Sequence, residues 1–265
     1  MTTTKYPREH VGFGSLALAT TARRTSFCVD FEESGWWDRA QKMWDSFRAD
    51  GKGPRTGRRS AVGGDGYMPV AMLAAEYDLA PGKSTEIVFI IAWSFPNRLA
   101  GWLVQKKDKP AVVRNHYGRR FPDAWKAACY VAGNLQRLRE GTLAFERALF
   151  DSTLPGAVLD AVSSQMSVIR TNTTMWLDEP AGEKGGRIYA FEGCSPKSGC
   201  CPMNCTHVWN YEQSMAHLYP SLERTMRATD YLSNVRRDGA MLFRTPVPIS
   251  AGAPRPKSEP VCETA

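Results

Sequence analysis

A chain of 265 residues with 43% hydrophobic side chains can bury a sizeable core. That excludes intrinsic disorder as the general state and allows one large domain or two modest ones. The formal net charge is +7 and the pI about 9.1, but the basic residues gather in Lys52 to Arg59 and in pairs such as Arg23-Arg24 and Arg236-Arg237; no helix face carries a basic stripe, so the charge reads as a solubility property and no nucleic acid is expected as a partner.

The first ten residues, Met1 to His10, hold no apolar stretch, so no secretory signal is visible. The longest apolar run, Ile87 to Phe95, is strand-sized, and no transmembrane segment is expected. Seven cysteines, four of them between Cys194 and Cys205, do not make an extracellular disulfide framework. A cytoplasmic location is the expectation.

The first hundred residues read as β. Val11 to Thr20, Thr25 to Phe31, Val70 to Tyr77 and Thr85 to Trp93 are short apolar or alternating runs. Asp78 to Lys83 contains Pro81-Gly82 and predicts a turn between the last two. In the fourth run Ile87, Phe89, Ile91 and Trp93 point one way and Val88 and Ile90 the other. Both faces are apolar, which predicts a central strand of a sandwich. Ser34 to Phe47 reads as a helical insertion and Gly51 to Gly66 as an exposed loop.

After Trp93 the period changes. Trp125, Cys129, Ala132, Leu135, Leu138, Thr142, Phe145 and Leu149 recur at helical spacing, predicting one long helix over Phe121 to Phe150. A second is expected from Leu154 to Trp176, with Pro155 in its first turn. Ile188 to Phe191 is a short apolar segment, and two more helices are expected at Trp209 to Tyr219 and Ser221 to Leu232, interrupted at Pro220. From Thr245 onward the Pro-, Ser- and Lys-rich chain has no apolar period and reads as a disordered tail.

Two places offer chemistry. In Tyr189-Ala190-Phe191-Glu192-Gly193 a carboxylate follows an apolar run and precedes a glycine. Taken alone, such a glutamate is more often a solvated end residue than a catalytic one. Cys194, Cys201, Cys205 and His207 offer thiolates and an imidazole for zinc. The spacing lacks a second paired knuckle, so a cysteine-containing loop is the stronger reading. Directly after them, Thr206 to Gln213 combines flat aromatic rings with hydrogen-bonding groups, as a sugar site requires and as a buried helix start also permits.

Phe191-Glu192-Gly193, then Cys205-Thr206-His207-Val208-Trp209-Asn210-Tyr211-Glu212-Gln213, then Leu218 to Arg227 resemble glycoside hydrolase family 116, which includes non-lysosomal glucosylceramidase (bile acid β-glucosidase) and bacterial β-glucosidases. Upstream, Leu79-Ala80-Pro81-Gly82 with Ile87 to Pro96, Asn115-His116-Tyr117-Gly118 with Phe121 to Trp125, and Ser152-Thr153-Leu154-Pro155 follow in the family's order. The resemblance covers about Gly12 to Arg244.

The resemblance implies an α+β multidomain chain. Its parts would be an N-terminal β-sandwich portion (1–98), an interdomain segment with a long helix (99–151), the first helices of an (α/α)6 barrel (152–245) and the disordered tail (246–265). It implies a retaining mechanism with Glu192 as nucleophile and Thr206, His207 and Trp209 contacting the sugar. It calls for no cofactor. Where some members carry an aspartate before the valine matching Val208, this chain has His207, and the loop between Glu192 and His207 is longer here. The acid/base aspartate has no counterpart: downstream of Glu192 stand only Asp230 and Asp238, neither in a matching context. The expectation is therefore a β-glucosidase or glucosylceramidase-like fragment, inactive alone, acting on a β-glucoside or glucosylceramide-like substrate when a second chain supplies the rest of the barrel. The alternative is a non-catalytic carbohydrate-binding or zinc-binding interaction protein.

Overall fold

The computed structural model describes residues 1–2, 5–30, 40–55, 57, 61, 70–99, 112–171, 174–178, 185–190, 214–233, 235, 239–242, 245, 247, 249 and 261–262. The fold is α+β, with helices and small antiparallel sheets. Two compact units are assembled from segments distant in sequence.

One unit comprises Leu16–Trp93 and Ala124–Leu135. Strand β1 (Ser15–Thr20) pairs with β4 (Phe89–Ser94). Strand β2 (Arg24–Val29) pairs with β3 (Ala71–Glu76) over six residues each, with Phe27 opposite Leu73 and Cys28 opposite Met72. These are the four strands the alternation predicts. The predicted turn is present: Gly82 has φ +71° and the Lys83 amide donates to the Ala80 carbonyl. Helix α1 (Gln41–Asp50) overlaps the expected helical insertion and runs past Phe47, and 31–39 lie outside the described residues. It stops at Gly51, whose φ of +73° lets its amide reach back to the Phe47 carbonyl.

Strand β4 departs from the expectation for a central strand. Among the described residues it pairs only with β1. Ile90 and Ser94 are buried, while Ile91 and Trp93 are 70% and 65% exposed. One apolar face is covered and the other is open.

Helix α3 (Ala124–Gly133) buries Ala124 and Ala128. The long helix expected over Phe121 to Phe150 is broken into α3 and α4 (Leu135–Phe150). At the break the Asn134 amide bonds the Val131 carbonyl, and its side-chain Nδ2 donates to the Tyr130 carbonyl. A short polar side chain thus satisfies a carbonyl that the helix leaves over.

The other unit comprises Met1–Ser15, Ser94–Asp123 and Gln136–Ala265. Its strands β5 (Asn97–Leu99) and β6 (Val112–Arg114) form one antiparallel pair, and β7 (Thr174–Leu177) and β8 (Arg187–Ala190) another. A bridge between Asn115 and Leu177 joins the two pairs. It is flanked by His116 N–H to the Trp176 carbonyl (2.8 Å) and Asp178 N–H to the Arg114 carbonyl (2.7 Å). Helix α2 (Tyr117–Arg120) follows the bridge directly.

The helix expected from Leu154 to Trp176 stops short. Helix α5 (Gly156–Gln165) tightens into a 3-10 turn at Met166–Arg170, and Trp176 lies in β7. The β-branched threonines at 171, 173 and 174 favour extended backbone, and the Thr171 hydroxyl donates to the Val168 carbonyl at the last turn. Helix α6 (Ser214–Leu218) and helix α7 (Pro220–Ser233) match the expected pair, with Pro220 opening α7. The stretch read as a tail contributes buried Val247 to a core cluster, with Ile249 packed against it. Further on, β10 (Val261–Cys262) pairs with β9 (Met241–Leu242). Isolated valines and isoleucines suffice for such contacts without any apolar period.

Candidate active site

Strand β8 is buried on both faces because its residues alternate. Tyr189 lies opposite Met175 in the ladder and shares a cluster with Leu177, Val113 and Val247. Ile188 points the other way, into a cluster with Met215 of α6 and Met226 of α7, against which Ile169, Tyr219 and Leu222 pack. Ala190, the last residue of β8, is also buried. A strand covered on both sides reads as a continuous apolar run, as Ile188-Tyr189-Ala190 does.

Helix α7 fixes this strand from below. Thr229 is fully buried, and its hydroxyl lies 3.0 Å from the Thr225 carbonyl and 3.4 Å from the Ile188 carbonyl. One turn along, Arg227 reaches Glu223 at 2.8 Å and Asp230 at 3.1 Å. Asp230 is 2% exposed and also accepts from the Thr245 hydroxyl at 3.4 Å.

The opposite end of the β7–β8 hairpin carries a polar clasp. The His116 ring stacks on Trp176, and its Nδ1 lies 3.8 Å from Asp178, which Arg119 of α2 also engages. The Trp176 indole N–H donates to the Gly185 carbonyl at 2.8 Å. Gly186, at φ +57°, packs so tightly that a Cβ there would sit 2.5 Å from the Leu177 carbonyl and 2.6 Å from His116 Nδ1. Sequence reasoning noticed Asn115-His116-Tyr117-Gly118 only as a family string. The pairing with Asp178 spans a distance that no local pattern encodes.

The residues singled out for chemistry, Glu192, Thr206, His207 and Trp209, lie outside the described residues, as do Cys194, Cys201 and Cys205. The described elements on either side of them are held together: Ile188 of β8 and Met215 of α6 belong to one cluster. Among the described residues no group of three or more His, Cys, Asp or Glu is placed to hold a metal ion, and no helix is long and apolar enough to cross a membrane.

Residues 1–138, more than half of the chain, match the family model described as beta-glucosidase 2, glycosyl-hydrolase family 116 N-term. No curated protein matches the chain.

Proposed function

Because the chain belongs to glycoside hydrolase family 116, we propose that its 265 residues carry the nucleophile side of a retaining β-glucosidase, with Glu192 as nucleophile and the acid/base aspartate supplied from outside them. In this reading 1–98 is a β-sandwich portion and 152–245 contributes the first helices of an (α/α)6 barrel. The substrate is a β-glucoside, with a glucosylceramide-like lipid as the natural candidate.

Retention needs two carboxyl groups about 5–5.5 Å apart, one attacking the anomeric carbon and one protonating the departing oxygen. Glu192 follows two residues after β8, whose burial on both faces gives the nucleophile segment a rigid base. That anchoring is the observation that supports the assignment most directly, since a nucleophile must be held to within a fraction of an ångström. Trp209 would offer a ring to the sugar face, and Thr206 and His207 would meet its hydroxyls. Asp230 is buried and ion-paired with Arg227, which supports a structural role for it rather than the acid role.

The test uses an aryl β-glucoside whose phenolate departs without protonation, such as the dinitrophenyl glucoside. The purified chain should release up to one equivalent of phenolate in a burst as the glycosyl-enzyme forms, with little turnover after it. The Glu192→Gln variant should release none. A parent chain without a burst would sink the assignment. Steady turnover of an ordinary aryl glucoside, abolished by the same substitution, would put the acid within these residues.

A further inference from the structure

A Cβ on Gly14 would sit 2.8 Å from the Ser94 carbonyl, and the Thr20 hydroxyl donates to the Val88 carbonyl at 2.7 Å. The start of β1 therefore lies beside the end of β4, and the two strands run antiparallel. Side chains alternate along each of them. Ser15, Ile90 and Ser94 are buried and lie on one face. Leu16 and Leu18 of β1 and Phe89, Ile91 and Trp93 of β4 are exposed and make up the other.

Single exposed apolar side chains are ordinary, but a contiguous group of this size is not. The five together expose on the order of 500 Å², taking about 150–250 Å² for a whole aromatic side chain and slightly less for an aliphatic one. Doubled across a two-fold axis, the patch would bury about 1,000 Å² from these side chains alone, the area at which a specific interface becomes sustainable.

The chemistry of the face suits a second copy of the chain. Neither strand holds a charged residue, so the face offers nothing complementary to a charged partner. A chain of net charge +7 repels its own copy, yet on this face two copies meet with no like charges opposed. Sheets stack face to face about 10 Å apart with their inner side chains interdigitated. A two-fold axis achieves this with one patch, because each side meets its own image. We propose that the open β1–β4 face is the contact between two copies of this chain, with Leu18 and Ile91 of each at its centre. The contact neither uses Glu192 nor depends on its role.

Sedimentation velocity of the full chain, over a dilution series through the micromolar range, tests this. The parent should pass from monomer to dimer within that range, as an interface of this modest area supports. Ile91→Glu and Leu18→Glu each set like charges across the axis and should weaken the dimer by more than about a hundredfold. Far-UV circular dichroism of the same samples checks that each is folded. Ile91→Thr keeps a β-branched strand former and should weaken the dimer about tenfold, since one apolar group is lost from each copy; it decides the outcome should the glutamate variants not fold. A parent that stays monomeric throughout overturns the proposal and means that a segment of the chain itself covers the face. A dimer of unchanged midpoint in Ile91→Thr, or in a folded Ile91→Glu chain, also overturns it, because the copies then meet elsewhere. So does growth past the dimer into an open series of larger species, which a closed two-fold contact forbids.

Discussion

The imidazole of His116 lies flat on the indole of Trp176, with ring centroids 4.6 Å apart and planes 18° from parallel. The same histidine receives the edge of Gly186 and faces Asp178. This contact fastens the segment after β6 to the hairpin that precedes Glu192. His116→Ala should lower stability by about 1–3 kcal/mol, through the lost ring contact and the space the imidazole leaves behind. His116→Phe keeps the stack and should recover part of that loss. Urea midpoints of the three chains check this; an alanine variant with the parent's midpoint would mean the clasp carries no stability.

Two glycines separate backbone strain from crowding. Gly82 and Gly186 both have positive φ, but a Cβ at Gly82 would meet open space, while one at Gly186 would strike the Leu177 carbonyl and His116. Gly82→Ala should cost about 1 kcal/mol for the left-handed conformation alone. Gly186→Ala should cost about 2 kcal/mol or more, since the hairpin must also shift. Equal losses by chemical denaturation would contradict the packing described around Gly186.

Met226 is fully buried beneath Ile188. Truncation to alanine leaves a cavity and should destabilise by about 2–5 kcal/mol, whereas Met226→Leu, close in volume, should cost less than about 1.5 kcal/mol. If β8 is the base of the nucleophile segment, the alanine variant should also shrink the phenolate burst in proportion to its unfolded fraction or beyond it. Denaturant titration and burst amplitude, measured on the same preparation, read both effects.

Asp50 gives a pH prediction. The backbone N–H of Lys52 donates to its carboxylate and lowers its pKa; partial desolvation acts the other way, and Arg55 adds a hydrogen bond and its charge to the lowering. A depressed carboxylate pKa means stability that is present above the unfolded value and lost as pH falls through the folded one. The Asp50 side chain should therefore titrate below the usual carboxylate range by NMR, and Asp50→Asn should blunt the acid limb of the stability profile slightly. The effect should shrink with added salt, because the site is exposed. A normal titration midpoint would show that the turn after α1 does not hold the carboxylate.

The strands β1 to β4 were legible because their periods are local: alternation and a Pro-Gly turn mark them one by one. Helix limits were less so. Asn134 ends one helix through a side-chain bond, and the threonines after Arg170 switch the backbone to a strand, while the apolar spacing runs on through both places. The family was readable from motif order, and its N-terminal half matches. What sequence could not supply was pairing at long range. His116 meets Asp178, Arg227 meets Asp230 beneath β8, and Val247 enters a core from a stretch with no apolar rhythm.

The bridge between Asn115 and Leu177 joins positions about sixty residues apart. A ribosome makes the β5–β6 hairpin many seconds before it makes β7, at the usual pace of synthesis. During that interval the Arg114 carbonyl and the His116 amide lack the partners that β7 later supplies, and closing so long a loop is slow because its entropy is lost before its contacts form. The segment after β6 is thus an open edge until β7 is made. The chain's yield in a cell should depend on chaperone supply and growth temperature more steeply than its final stability alone would set.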